Sequence, residues 1–217
     1  MRVALFATCL VDFMRPSVGF AAAKLLQQAG CTVDVPVAQT CCGQPAWNNG
    51  DANNARHLAR QMIDVFYDYD YVIVPSGSCA GMLRHHYPTV LADDPDYSLK
   101  ASELAVRCHE LTGFLVDVLG VTSTEAGFDG RLTWHDSCSC LREMQVSQQP
   151  RQLLTSLPGC ELVELPDNEV CCGFGGTFCV KFPEISTRMV TDKVDAIVAT
   201  GASTVAAADL GCLLNIA

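Results

Sequence analysis

Eight of the 13 cysteines form two sets of four that share the same order and nearly the same spacing. In each set a single cysteine is followed 32 or 33 positions later by a Cys-Cys-Gly motif, and a last cysteine comes 37 or 40 positions after that pair. Thiolates are soft ligands for zinc, copper(I) and iron–sulfur clusters, so each set is a candidate metal–sulfur site. The sets are Cys9, Cys41, Cys42 and Cys79, and Cys138, Cys171, Cys172 and Cys212.

The adjacent cysteines favour a cluster over a single ion. By number, four thiolates suit either one zinc ion or a [4Fe–4S] cluster. Structural zinc sites usually draw on Cys-x-x-Cys knuckles, which neither set contains. Neighbouring side chains diverge in an extended backbone, so two consecutive thiolates fit one tetrahedral ion poorly. We therefore expect one iron–sulfur cluster per set, with Gly43 and Gly173 letting the backbone approach it without a Cβ clash.

Two other interpretations stay open for the same cysteines. The vicinal pairs could cycle as redox thiols without metal, which would make the chain a thiol–disulfide oxidoreductase. The chain could also be a non-enzymatic assembly subunit that binds zinc.

Cysteines and polar residues outside the two sets have simpler explanations. Buried structural thiols are the favoured interpretation of Cys31, Cys108 and Cys160. Cys140 and Cys179 lie close to set members, where a spare-ligand or redox role is conceivable but not favoured. The dipeptide 135–136 could hydrogen-bond a cluster sulfur or form a local cap.

The elements that must position the cysteines also repeat along the chain. Apolar runs precede Cys9 and Cys138, and a second pair of runs, at 71–74 and 204–208, precedes Cys79 and Cys212. This indicates two tandem copies of one unit, which we place at 1–128 and 129–217. The second copy is expected to lack its closing helix.

Within the copies, short apolar strands alternate with helical patterns. The predicted helices cover 18–29, 55–66, 80–91 and 99–119 in the first copy, and an apolar stripe at 185–198 in the second. This alternation predicts an α/β fold of two pseudo-symmetric, Rossmann-like repeats with parallel sheets. The cysteines then follow strand C-terminal ends, where open α/β sheets bind ligands.

Composition excludes several classes of protein. A hydrophobic content of 49% and a charged content of 18% fit a well-packed soluble domain. The net charge of −10 disfavours nucleic acid as a partner, and no run reaches the roughly 18 apolar residues of a transmembrane segment. Asp12 and Arg15 interrupt the apolar N-terminus, so we expect a first strand, a cytoplasmic location and no disulfide framework.

Several long motifs resemble the cysteine-rich CCG-domain family. That domain occurs twice in the catalytic subunit of heterodisulfide reductase, and also in iron–sulfur subunits of glycolate and glycerol-3-phosphate oxidation. The sequence is most similar to the lactate utilization protein A family. The motifs that carry the resemblance lie at 6–12, 40–46, 75–82, 135–138 and 171–178.

The resemblance implies an oxidoreductase subunit that transfers electrons while an assembled complex converts L-lactate, a 2-hydroxy acid, to pyruvate. It also implies partner subunits, one of them a ferredoxin-like iron–sulfur protein. In the heterodisulfide reductase form, the last element is Cys-x-x-Cys, and five cysteines hold a noncubane [4Fe–4S] cluster. Here Ser76 and Asp209 replace the first cysteine of that element, so the fifth ligand is missing from both sets. The sequence assigns no catalytic base.

Overall fold

Two parallel sheets, one in each repeat, organise the computed structural model, which describes residues 1–217. The first sheet has the strand order β2-β1-β3-β4 and the second has the order β6-β5-β7. All strand pairs are parallel, and β5, β6 and β7 correspond to β1, β2 and β3. The strands are β1 (Arg2–Leu5), β2 (Thr32–Asp34), β3 (Tyr71–Val74), β4 (Cys108–Glu110), β5 (Gly130–His135), β6 (Cys160–Val163) and β7 (Thr204–Ala207).

Helices connect the strands and cover the sheets. Three π-helical turns lie at Met82–His86, Phe114–Val118 and Ser139–Glu143, and the first of them connects two α-helices. No helix combines the length and the apolar character that crossing a bilayer would require. The α-helices are α1 (Cys9–Met14), α2 (Pro16–Gln28), α3 (Gln44–Asn48), α4 (Ala52–Phe66), α5 (Gly77–Gly81), α6 (Tyr87–Val90), α7 (Ser98–Arg107), α8 (Leu111–Gly113), α9 (Gln148–Thr155), α10 (Phe178–Lys181), α11 (Pro183–Ala199) and α12 (Leu210–Ile216).

The predicted α/β architecture with tandem parallel sheets is confirmed. The strand order reverses between β1 and β3, so the C-terminal ends of these strands open a crevice at a topological switch point. In the second repeat β5 and β7 form the equivalent crevice. The boundary between 128 and 129 stays a prediction.

One predicted helix is wrong in part. The pattern at 99–119 predicts continuous helix, yet α7 ends at Arg107 and the next three residues form β4, which pairs with β3. Cys108 and Glu110 are buried there. The free edge of β3 offers hydrogen bonds to any segment that reaches it, and this tertiary pairing outweighs local helical preference.

The first repeat has a fully covered core. Residues of β1 and β3 are buried on both faces of the sheet, as expected of parallel strands between helices. Along α4, Ala55, Ala59, Met62, Ile63 and Phe66 recur at helical spacing and are all fully buried.

In the second repeat, α11 forms where the apolar stripe predicts a helix, but the stripe itself is not buried. Ile185 and Val198 are 54% and 70% exposed, whereas Ser186 and Lys193 are the buried residues of this helix. The helix of the first repeat that corresponds to α11 is α4, and α6 and α7 pack against it. No element packs against α11 in the way that α6 and α7 pack against α4.

The two repeats touch through α5 and the π-helical turn that follows Cys138. A Cβ on Gly77 would lie 2.8 Å from the backbone nitrogen of Cys140, closer than real contacts allow. Cys140 is itself buried, and burial raises the pKa of its thiol. The structure therefore explains Cys140 as a small packing residue of the repeat interface, not as an additional ligand.

Candidate metal–sulfur sites

The first set of cysteines converges on one cavity of about 200 Å³. Cys9 begins α1 just after β1, and Cys79 lies on α5 just after β3. Cys41 and Cys42 come from the loop that leads into α3. The thiol of Cys42 donates a hydrogen bond to the Cys79 sulfur over 3.4 Å. The fold thus brings together all four residues that the sequence places in this set.

The second set lines a cavity of about 270 Å³ in the equivalent place. Cys138 follows β5, and Cys212 lies on α12 after β7. Cys171 and Cys172 come from the loop before α10. In both sets the first cysteine is exposed at the surface, and the second of the vicinal pair and the last are buried.

The Cys-Cys-Gly turn has the same geometry in both repeats. Gly43 and Gly173 have φ angles of +86° and +84°, which other residues adopt only with strain. Each glycine amide donates a 3.4 Å hydrogen bond to the sulfur of Cys41 or Cys171.

The structure shows a further reason for these glycines, and the expected approach to a cluster stays a prediction. A Cβ on Gly173 would lie 2.8 Å from the carbonyl oxygen of Ser186 on α11, and on Gly43 it would lie 3.3 Å from Leu58 on α4. The glycines therefore also allow the turn to approach a helix.

Each turn is also held by a residue that the sequence did not single out. Tyr87 donates its hydroxyl hydrogen bond to the carbonyl oxygen of Cys42 over 2.9 Å. Asn215 donates from its side-chain amide to the carbonyl oxygen of Cys172, also over 2.9 Å. Both follow the last cysteine of their set, but by eight and three positions, so no shared spacing marks them.

The electrostatics of each thiol set make one of its sulfurs the easiest to ionise. Close contacts with the thiols of Cys42 and Cys9 lower the pKa of Cys41 to about 2. The same contacts with Cys41 raise the pKa of Cys9 and of Cys42, and burial raises both further.

The second set behaves in the same way. Hydrogen bonds from Cys138 and Cys172 lower the pKa of Cys171 to about 2, and the pKa values of its two donors are raised. A bound cation can ionise such a set fully, with release of the remaining protons. Four converging sulfur donors, one of them with a lowered pKa, fit a metal–sulfur group in both repeats.

The two cavities share a wall at the repeat interface. Gln44, Ser78, Phe174, Gly176 and Asp209 line both of them. Asp209 is buried and accepts hydrogen bonds from Ser76 over 2.5 Å and from Ser137 over 2.6 Å. Ser76 and Asp209, which stand at the two positions of the missing fifth cysteine, are thus hydrogen-bonded to each other.

Asp136 anchors the second site through a buried polar network. It forms an ion pair with Arg151 whose N–O separations are 3.0 and 2.7 Å. It also accepts hydrogen bonds from the Trp134 indole and the Asn168 amide, over 2.9 and 2.8 Å. Asp136 is therefore a structural anchor, not a helix cap.

His135 is buried next to this network. Burial, together with the nearby charge of Lys193, lowers the pKa of the imidazole to about 4. The ring is therefore neutral at physiological pH, which is the form that binds metals.

The remaining cysteines stay outside both cavities. Cys31 and Cys108 are buried, and Cys160 is partly buried on β6. The thiol of Cys179 donates a 3.2 Å hydrogen bond to the carbonyl oxygen of Gly176.

Comparison with known proteins identifies the family. A family model described as a cysteine-rich domain, CCG, matches residues 3–84 and 132–217. The chain is 47% identical over 216 residues to lactate utilization protein A of Bacillus cytotoxicus, with 100% of this chain and 90% of that protein covered. Identity is 48% to the protein of that name from Oceanobacillus iheyensis, again over the whole chain and over 88% of the relative. The Bacillus subtilis protein of that name is 46% identical over the same share of the chain and 90% of its own length. The chain belongs to the lactate utilization protein A family and contains two copies of its cysteine-rich CCG domain.

Proposed function

We propose that this chain is an iron–sulfur subunit of an L-lactate-oxidising complex, and that it transfers electrons while lactate is converted to pyruvate. The observation that carries the proposal is the pair of adjacent cavities, each lined by four cysteines and joined by a common wall. The names of the relatives, lactate utilization protein A, support lactate as the 2-hydroxy acid involved.

We assign one [4Fe–4S] cluster to each set of cysteines. Cys9, Cys41, Cys42 and Cys79 would hold the first, and Cys138, Cys171, Cys172 and Cys212 the second. When bound, such clusters supply one-electron transfer. Conversion of lactate to pyruvate releases two electrons and two protons, so two one-electron sites in one chain match the stoichiometry.

The protein's own residues prepare the sites for this role. The second cysteine of each vicinal pair and the last cysteine of each set are buried away from water. Cys9 and Cys138 are exposed, so each site reaches the surface where another protein could exchange electrons with it.

Exposed apolar residues support a partner at this surface. Phe13 is 86% exposed on α1, the helix that Cys9 begins, and Val37 is fully exposed beside the first site. Large exposed apolar side chains near a functional site are typical of protein interfaces. We propose that the partners are other subunits of the complex, among them a ferredoxin-like iron–sulfur protein. We also propose the reducing cytoplasm as the location, because the thiolate ligands of a cluster persist in a reducing compartment.

Anaerobic purification followed by iron and sulfide analysis tests the proposal. We expect about eight iron atoms per chain and an EPR signal on reduction, since two [4Fe–4S] clusters would be present. In the assembled complex, L-lactate should produce that signal without added reductant.

Three results would overturn the proposal. A colourless protein without iron after reconstitution would contradict cluster binding. Bound zinc with no redox response would favour the zinc-binding assembly subunit, and activity that survives complete removal of iron would favour a thiol–disulfide oxidoreductase.

A further inference from the structure

The two sites differ at the position three residues before their first cysteine. In the first repeat this residue is Phe6, which is fully buried and packs against Phe66 at a ring-centroid distance of 5.5 Å. In the second repeat it is His135, the last residue of β5, which is 1% exposed. The same place in the fold is therefore filled by a phenyl ring in one repeat and by an imidazole in the other.

The imidazole of His135 lacks any hydrogen-bond partner. Both ring nitrogens are shielded from solvent, and neither has a donor or acceptor within reach. Burying a polar group without a partner costs stability, and native proteins rarely leave one in that state. An imidazole that served only as packing could be replaced by a phenyl ring, as Phe6 shows in the first repeat. The absence of any protein partner therefore points to a ligand.

A nitrogen of His135 lies with the sulfurs of Cys172 and Cys212 in a group whose ligand atoms are all within 4.8 Å of one another. Ligand atoms on one tetrahedral metal are separated by roughly 3.5 Å, given metal–ligand bonds of about 2.0–2.3 Å. The three donors are therefore close to the arrangement that one metal atom requires. The first repeat offers nothing equivalent, since a phenyl ring has no donor atom.

We infer that His135 is a nitrogen ligand of the second metal–sulfur site, whereas the first site has sulfur ligands only. The inference rests on the proposed function in assuming that the second set of cysteines holds an iron–sulfur cluster. His135 would add a fifth donor to a set that carries Asp209 at the position of the additional cysteine.

A neutral imidazole adds no negative charge to the site, and replacement of thiolate by histidine is known to raise the potential of an iron–sulfur centre. The buried ammonium of Lys193 acts in the same direction, because a nearby cation favours the reduced and more negative state. Gly43 approaches Leu58 of α4 as Gly173 approaches Met189 of α11, so the residue of α4 that corresponds to Lys193 is the uncharged Met62. The two sites are therefore chemically distinct, and the second should be reduced at the higher potential.

Pulsed EPR of protein labelled with ¹⁵N-histidine tests the ligand directly. The full chain would carry Cys41→Ser and Cys42→Ser, so that iron and sulfide reconstitute only the second site. We expect a hyperfine coupling of the size that a directly bonded nitrogen gives. The substitution His135→Phe, which copies the first repeat, should remove this coupling and lower the reduction potential of the site.

His86 provides the matched control, because it lines the same cavity and lies 3.7 Å from Glu143. In the His86→Gln protein the nitrogen coupling should persist. The labelled protein with His135 intact gives the decisive spectrum, so the test holds even if the His135→Phe protein fails to fold.

The outcomes separate this inference from the proposed function. Iron bound at the second site with no coupling, or with only the weak coupling of a hydrogen-bonded imidazole, would overturn the inference and leave the proposed function in place. Failure of wild-type protein to bind iron would overturn both.

Discussion

Ser76 donates a 2.5 Å hydrogen bond to the carboxylate of Asp209, although the two residues lie 133 positions apart and belong to different repeats. Each stands three positions before the last cysteine of its set. Asp209 also accepts hydrogen bonds from the hydroxyls of Ser78 and Ser137. One buried carboxylate thus connects the segments that immediately precede Cys79, Cys138 and Cys212.

Replacing this carboxylate by an amide should loosen the contact between the repeats. We expect Asp209→Asn to lower the free energy of unfolding by about 1–3 kcal/mol, because an amide cannot accept hydrogen bonds at both of its terminal atoms. Urea denaturation of the metal-free protein measures the change. The same substitution at the exposed Asp68 should have almost no effect, and equal stability of both variants would contradict the assigned role.

The ligand sets make a quantitative prediction about iron. Cys42→Ser and Cys172→Ser should each reduce the iron content to about half of the wild-type value, and the double variant should bind almost none. Iron analysis after anaerobic reconstitution provides the measurement. Cys160→Ser, on β6 and outside both cavities, should retain full iron content. Unchanged iron in either single variant would show that its set does not hold a cluster.

The ion pair between Arg151 and Asp136 should be important for stability because both side chains are buried, with 10% and 0% exposure. Arg151→Ala leaves an uncompensated buried carboxylate, so we expect a loss of about 3–5 kcal/mol in the free energy of unfolding. Arg188, which pairs with Asp192 on the surface of α11, is the control. Its alanine variant should lose less than about 1 kcal/mol. Similar losses in the two variants would refute this distinction.

Glu110 predicts a dependence of stability on pH. Burial raises the pKa of this carboxyl from its ordinary value of 4.5 to about 7. Between these two values the folded protein binds a proton that the unfolded chain has lost. The contribution is therefore fully present below about pH 4.5 and is lost as the pH rises through about 7, a decrease of about 3 kcal/mol.

Urea denaturation at several pH values between 4.5 and 8 would reveal this decrease. In Glu110→Gln it should be absent, while the amide oxygen can still accept the hydrogen bonds from Thr112 and Gly113. Glu161→Gln, at an exposed position on β6, should keep the wild-type profile. If Glu110→Gln kept the wild-type dependence of stability on pH, that dependence would have to come from other titratable groups.

The close approach of the repeats at Gly77 can be tested by adding one methyl group. Gly77→Ala should destabilise the protein by about 1–3 kcal/mol, because the new Cβ meets backbone atoms of Cys140 that cannot move aside independently. Thermal denaturation measures the effect. Gly127→Ala is the control, since nothing lies within 4 Å of a Cβ at that position. Tolerance of alanine at 77 would mean that the repeats are able to shift apart.

Most of the fold was accessible from the sequence because its signals are local. The helix predicted at 18–29 forms as α2, and the strand predicted at 71–74 forms with those bounds, since periodicity and turn residues act over short stretches of chain. The strand β4 was missed because its only support is the free edge of β3, which is a tertiary contact.

By itself, the sequence determined the two sets of cysteines and their duplicated order, because spacing along the chain is a property of the chain alone. It could not determine what surrounds each set. Ser76 and Asp209 meet only because the N-terminal ends of α5 and α12 come together where the two repeats touch. The two cavities share a wall for the same reason. His135 and Phe6 occupy equivalent positions in sequence, yet only burial and the lack of a partner reveal that one of them points to a ligand. Such roles are decided by contacts between residues that are distant in sequence. Those contacts depend on how the repeats pack.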